Sequence, residues 1–214
     1  MVLKLIMEDS VTGVILAGGK SSRIGQDKAF IEVGGVRIFD YVFKKCQDIF
    51  SEMIIVTNHP HLYGEYKAII VTDEIPETGS LGGLYTGLLW ANNYHIFCVA
   101  CDMPFLRPEF IVHLTKKRNN YDAVVPRTKE GLEPLHAIYS KRCIEPIKKF
   151  LERREFKIDR LFPEVKVIYC EEKEIEQFDP SFTSFININT KRDLMKMQQM
   201  LQGNKWEEEK VKVC

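Results

Sequence analysis

The chain has 214 residues, 45% of them apolar, which suits a single globular domain of ordinary size with a substantial core. Thirty lysines and arginines balance thirty aspartates and glutamates, so no global field points to nucleic acid or to an anionic membrane. No apolar run reaches the length of a membrane span, the opening MVLKLIMEDS turns acidic at Glu8 and Asp9 without the cleavage site of a signal peptide, and six cysteines without a dense framework suit a reducing cytoplasm.

The first predicted strand is Val14-Ile15-Leu16, a run of branched apolar residues typical of a strand buried on both faces. Ala17, Gly18 and Gly19 follow, small enough to bring backbone N–H groups close to a ligand. Lys20, Arg23 and Lys28 then concentrate positive charge beside the hydroxyls of Ser21 and Ser22. A turn of this kind at the carboxyl end of a strand can cradle phosphates with oriented amides. It is not a P-loop: Gly19-Lys20-Ser21 supplies the end of G-x-x-x-x-G-K-[ST], but the first glycine position holds Val14, with Gly13 one residue out of register. Nor is it a dinucleotide fingerprint, because Gly18, Gly19 and Gly25 fall at the wrong intervals.

Further along, Val36 to Phe50 places apolar residues at helical intervals, and Met53 to Val56 reads as a second buried strand ending at Thr57-Asn58. Residues 61 to 67 read as a short helix or a loop, and Ala68 to Thr72 as a third strand ending at Asp73. Pro76 to Gly83 reads as a flexible loop, followed by a helix through Trp90-Ala91-Asn92. Ile96 to Ala100 is a fourth strand, ending at Cys101-Asp102-Met103-Pro104. A helix over Glu109 to Lys117, a strand over Asp122 to Pro126 and a partly alternating stretch over Glu133 to Tyr139 come next. A basic helix from Arg142 to Arg154 and a late strand from Val165 to Tyr169 follow. Phe185 to Thr190 alternates as a strand does and leads into a helix from Lys191 to about Met200, whereas Gly203 to Cys214 is charged and lacks clear helical periodicity. The expected architecture is α/β: a single domain over residues 1–200 with a mostly parallel twisted sheet and helices on both faces, then a mobile tail over 201–214. Ligands of such sheets sit outside the carboxyl ends of strands, where this chain carries Gly18-Gly19, Asn58, Asp73 and Asp102.

Residues 16 to 28 resemble the signature L-A-G-G-x-x-x-R-[MI]-G-x-D-K of the molybdenum cofactor guanylyltransferases, a branch of the nucleotidyltransferase superfamily. Leu16-Ala17-Gly18-Gly19, Arg23, Ile24-Gly25 and Asp27-Lys28 match it position by position. Cys101-Asp102-Met103-Pro104 is similar to the C-D-x-P of that family, Pro134-Leu135-His136-Ala137-Ile138-Tyr139 to its P-L-x-A-x-Y, and Asn187-Ile188-Asn189-Thr190 to its N-I-N-T, so the resemblance spans most of residues 12 to 195. It implies a Rossmann-like nucleotidyltransferase fold and a cytoplasmic, Mg²⁺-dependent enzyme. The implied reaction transfers GMP from GTP to the terminal phosphate of molybdenum-molybdopterin, forming the guanine dinucleotide form of the cofactor and pyrophosphate. The partners so implied are GTP and the pterin phosphate, then molybdenum-enzyme apoproteins or other proteins of the cofactor pathway, with no nucleic acid and no membrane.

Read from the residues alone, Asp102 at the end of an apolar strand either caps a turn or binds a cation, and Mg²⁺ needs only one or two carboxylates beside substrate phosphates. The resemblance makes Asp102 the Mg²⁺ ligand and places Lys28 and Arg23 beside it as catalytic residues. It gives nucleotide contacts to Leu16, Ala17, Gly18, Gly19, Lys28, Asp73 and Gly82. Asn187 and Asn189, on one face if their segment is a strand, are expected on the pterin side, whereas the basic run Lys148-Lys149, Arg153-Arg154 and Lys157 reads better as a solvated helix surface. Two departures stand out: Ser80 replaces the proline of the family's G-P-L-x-G loop, and Val56 occupies the place of a family asparagine, with Asn58 two residues on as a candidate substitute. Cys98-x-x-Cys101 reads as two small core-type residues on opposite faces of a strand, and His136 as structural or substrate-adjacent. Two other readings are kept: a cytidylyltransferase of the same pathway or a sugar-phosphate nucleotidyltransferase, and a GTP-binding sensor or scaffold without turnover. Cytidylyltransferases of the pathway typically read L-A-A-G where this chain has Leu16-Ala17-Gly18-Gly19, which favours guanine.

Overall fold

The computed structural model describes residues 10–18 and 28–211, the side chains of residue 28 and of 202–211 excepted. The branched apolar runs become strands, and the amphipathic stretches between them become helices. In chain order the elements are β1 (Val11–Leu16), a small hairpin of β2 (Glu32–Val33) and β3 (Val36–Arg37), α1 (Ile38–Gln47), β4 (Glu52–Val56) and β5 (Ile69–Val71). There follow α2 (Gly79–Trp90), β6 (His95–Ala100), α3 (Pro108–Lys116), β7 (Ala123–Thr128), β8 (Gly131–Leu132) and β9 (His136–Ser140). The chain closes with α4 (Ile144–Glu152), β10 (Val167–Glu171), the single-turn α5 (Glu172–Ile175) and α6 (Lys191–Val211).

One sheet runs in the order β10-β7-β9-β6-β1-β4-β5, with β8 paired to β7. β1 lies at its centre, parallel to β4 on one side and β6 on the other, and β5 continues the parallel set beyond β4. β9 is the exception, antiparallel to both β6 and β7. Strand residues alternate between two core layers, as a period of two demands. Val11 and Ile15, Met53 and Ile55, and Phe97 and Val99 face α1 and α3, meeting Phe39, Val42, Phe110 and Leu114. Val14 and Leu16, Ile54 and Val56, and Ile96 and Cys98 face α2 and α4, meeting Leu81, Leu84, Leu88 and Ile147.

Several elements differ from the sequence expectation, among them Val36–Arg37, a hairpin strand where the sequence predicts the start of the first helix. Gly79 to Gly83 is not loop but the first turns of α2, which packs so closely on β1 that a Cβ at Gly87 would lie 2.6 Å from Val14 Cγ1. This helix contains several glycines, poor helix formers, and is held by burial on the sheet rather than by propensity. Phe185 to Thr190 is not a strand: a 3₁₀ turn over Thr183–Phe185 leads into irregular chain, so the same-face argument for Asn187 and Asn189 fails. The last helix runs on to Val211, past the end of its apolar pattern, and is anchored through Met197 against Val33, Ile38 and Ile188. Finally, the late strand is shifted, from Val165–Tyr169 to Val167–Glu171.

Candidate active site

Backbone hydrogen bonds draw the ends of three strands together. As β1 ends, Leu16 O accepts from Cys101 N at 3.1 Å and Ala17 N donates to Val56 O at 2.8 Å, so Gly18 emerges between the turn after β6 and the turn after β4. Thr57 Oγ1 donates to Ala17 O at 3.2 Å and Thr57 N to Val71 O at 2.9 Å, which brings the end of β5, and with it Asp73, alongside. Because β9 runs antiparallel, Leu135, the residue before it, arrives at the same edge, and its carbonyl accepts from Ala100 N at 3.3 Å. Ile188 N donates to Asp102 O at 2.9 Å and so pins the segment of Asn187 onto the turn of Asp102.

The result is a cleft lined by Leu16, Gly18, Asp73, Cys101, Asp102 and Asn187, with Gly79, Ser80 and Gly83 from the amino end of α2. That helix end offers unpaired N–H groups and the positive end of its dipole to whatever fills the cleft. Asp102 is half-buried. The turn that follows it is anchored from α1: Lys45 Nζ donates to Pro104 O at 3.2 Å and to Leu106 O at 2.9 Å. Burial, reinforced by nearby Arg107, pushes the Lys45 ammonium down to about 8. Asp73 is also half-buried, and burial pushes its carboxyl up, opposed by Asn58 Nδ2 donating to Asp73 Oδ2 at 3.4 Å. A Cβ at Gly18 would stand 3.5 Å from that Asn58 nitrogen and 3.8 Å from Asp73 Oδ2. The glycine therefore keeps open the direct approach to both.

Of the residues expected at the site, Leu16, Gly18, Asp73, Asp102 and Asn187 share the cleft. Ala17 is buried in the β1 layer below it. Gly82 does not line it: it is buried in α2, where a Cβ would fall 1.8 Å from Thr78 Oγ1, so its small size serves packing. Asn189 is not a lining residue either, and its N–H donates to Asp193 Oδ2 at 3.0 Å at the start of α6. Gly19 and Arg23 lie outside the described residues, as does the side chain of Lys28. Lys148, Lys149, Arg153, Arg154 and Lys157 are exposed on and after α4, as a solvated surface should be.

Val56 and Leu135 join the lining although the sequence did not single them out as site residues, and Cys101 lines the cleft as well as packing on the core. Cys98 is fully buried in the opposite layer, so the two cysteines do face opposite ways. His136 is fully buried in a box of Phe97, Phe110 and Phe185, and burial pushes it down to about 3, which makes it a neutral structural ring. Among the described residues His113, Cys170 and Glu174 bring possible metal ligands within 4.8 Å of one another. Lys117 ion-pairs with that Glu174, so its charge is already compensated.

An open, mostly parallel α/β sheet whose strand ends deliver Gly18 and two carboxylates to one cleft is the arrangement of a nucleotide-handling enzyme of the nucleotidyltransferase class. The profile of the family described as "MobA-like NTP transferase domain" matches residues 13–165. The molybdenum cofactor guanylyltransferase of Desulfosudis oleivorans is 38% identical over 92% of this chain and 98% of its own length. A probable molybdenum cofactor guanylyltransferase of Peptoclostridium acidaminophilum is 34% identical over 91% of each chain. The crystal structure of molybdopterin-guanine dinucleotide biosynthesis protein A from Archaeoglobus fulgidus superposes with a TM-score of 0.81 at 25% identity, covering 90% of this chain and all (100%) of that one. The chain belongs to the MobA-like NTP transferase family.

Proposed function

We propose that this chain transfers GMP from GTP to the terminal phosphate of molybdenum-molybdopterin and releases pyrophosphate, as the names of its relatives suggest. The observation that carries this reading is the convergence of Gly18, Asp73, Asp102 and Asn187, from four separate places in the chain, on one cleft. Phosphoryl and nucleotidyl transfer ask little covalent chemistry of a protein. The work lies in aligning the attacking and leaving oxygens and in balancing charge.

Asp102 is the carboxylate we assign to hold Mg²⁺, since a half-buried Asp at a strand end fits an ion that takes one or two carboxylates and otherwise substrate phosphates. When bound, Mg²⁺ supplies neutralisation of charge on the phosphate oxygens. Asp73, steadied by Asn58, offers acceptor oxygens to N–H or O–H groups of the nucleotide. The amino end of α2 presents backbone N–H groups toward phosphate or base. Asn187 contributes an amide to the lining, its Nδ2 donating to Phe185 O at 3.3 Å, and we assign it to the pterin phosphate. Lys28 and Arg23 are assigned to the departing pyrophosphate, whose charge two cations offset. Among the described residues no helix is long and apolar enough to cross a membrane, and we place the reaction in the cytoplasm.

Mixing the protein with GTP, Mg²⁺ and molybdopterin, and following pyrophosphate, tests the reading. Release dependent on all three is expected. GTP binding with no release at any pH or metal would favour a sensor, and tighter binding of CTP than of GTP would favour the cytidylyltransferase.

A further inference from the structure

The segment that brings Asn187 to the cleft has no sheet ladder to hold it, and its order comes from one buried carboxylate. Asp179 has no exposed surface (0%) and is not among the residues that line the cleft. Its Oδ2 accepts from Ser184 N at 2.7 Å, its Oδ1 accepts from Thr183 Oγ1 at 3.0 Å, and Arg107 Nε lies 3.7 Å from the same Oδ1. Its carbonyl accepts from Phe182 N at 3.0 Å. Phe182 has φ 54°, a left-handed conformation that is unfavourable for a bulky residue and persists only when neighbours over-determine it. The bonds that Asp179 accepts from Phe182 N and from Thr183 and Ser184 just after it are those neighbours.

From this turn the order passes along the chain. Ile186 N donates to Thr183 O at 3.1 Å, the Phe185 ring packs on His136 at 5.3 Å, and Ile188 N reaches Asp102 O at 2.9 Å. On its other side Asp179 meets Arg107, which begins α3 at the end of the turn that starts with Asp102 and whose carbonyls Lys45 holds. A buried carboxylate is costly unless paired and hydrogen-bonded, and here its side-chain hydrogen bonds go to the segment that leads to Asn187 and its ion pair to Arg107 at the end of the Asp102 turn.

We propose that Asp179 is a positioning residue that sets the Asn187 segment against the Asp102 turn, and so fixes the wall of the cleft opposite the nucleotide. The assignment of that wall to the pterin phosphate rests on the guanylyltransferase reading. The clamp itself does not.

Asp179→Asn keeps the shape but loses the charge, whereas Thr183→Val keeps the carboxylate and removes one donor. With charge-assisted bonds weakened, the pterin KM should rise about tenfold in Asp179→Asn and about threefold in Thr183→Val, with the KM for GTP unchanged to within about twofold. Amide exchange at Ile188, followed on the ligand-free protein, should quicken by about tenfold in Asp179→Asn. Equal rises in both KM values, or faster exchange with neither KM changed, would reduce Asp179 to a structural role and overturn the proposal, as would unchanged exchange. If Asp179→Asn does not fold, Thr183→Val decides by the same split. If the wild type releases no pyrophosphate, the guanylyltransferase reading fails, and the exchange of Ile188 still decides the clamp.

Discussion

The two walls of the cleft are built by different means. On the nucleotide side, β1, β4, β5 and β6 lie in parallel register, and each functional group stands at or just beyond the end of a strand: Gly18, Asn58, Asp73 and Asp102. Their positions follow from the ladder, because residues one or two past the last paired position cannot stray far from it. On the other wall Asn187 comes from irregular chain, five residues after the left-handed Phe182 and outside any strand. There side-chain bonds to Asp179 and the edge-on packing of Phe185 with His136 and Phe110 do what the ladder does elsewhere. Where regular hydrogen bonding fixes the chain, the functional side chain is free to be chosen for chemistry alone. Where it does not, several neighbours must be chosen to hold one amide in place.

The largest expected effect lies on the ladder-built wall. Asp102→Ala should lower turnover by a factor on the order of 10³ or more while the protein melts within a few degrees of wild type, because the side chain sits at a half-exposed strand end rather than in the core. A metal-dependent, active Asp102→Ala protein would remove Asp102 from the centre of the site. The side-chain-built wall should respond to acid. The buried His136 ring resists protonation until about 3, whereas in the unfolded chain it takes up a proton near its ordinary value of 6.5. The unfolded state therefore binds more protons between those values, and this contribution to stability, intact above 6.5, is lost as pH falls toward 3. By pH 5 it amounts to about 2 kcal/mol, at roughly 1.4 kcal/mol per pH unit. Glu133, pushed up to about 7 by burial and by Glu130, acts in the opposite direction over pH 7 to 4.5, so the net curve mixes the two. Urea midpoints at pH 7 and pH 5 for wild type and His136→Leu separate them. The wild type should lose about 2 kcal/mol more than the variant over that interval, and equal losses would mean that the ring is solvated.

Asn187→Ala probes the division between the walls directly. The pterin KM should rise about tenfold and the KM for GTP by less than about twofold, because we assign this amide to the pterin phosphate, and it comes from a segment separate from the strand ends that carry Gly18 and Asp73. Equal losses would merge the two walls into a single binding unit. The smallest expected effect belongs to Gly18→Ala. The new methyl would meet Asn58 and Asp73 at ordinary contact distances, 3.5 and 3.8 Å, so the fold should be kept. It would narrow the approach to Asp73, and the preference for GTP over CTP should fall by roughly threefold in competitive binding. An unchanged preference would show that base choice is made elsewhere.

The sequence by itself determined the parallel half of the molecule. Branched apolar runs ending in glycine or aspartate read as strands of a parallel sheet with their special residues at the carboxyl edge, and that logic carried Leu16, Gly18, Asp73 and Asp102 to the cleft. It also separated Cys98 from Cys101 by the alternation of strand faces. What only the tertiary structure decided is whatever depends on long-range packing. α2 is helical from Gly79 because burial against β1 outweighs the poor propensity of its glycines, which turned Gly82 from a loop contact into a packing residue. Leu135 reached the site because β9 runs antiparallel, a direction that no local pattern encodes. Asn187 and Asn189 parted company because the alternating stretch around them finds no partner strand and takes its hydrogen bonds instead from Asp102, Asp193 and the turn held by Asp179. Alternation specifies a strand only when a neighbouring edge is free to receive it, and which edges remain free is settled by the folded sheet.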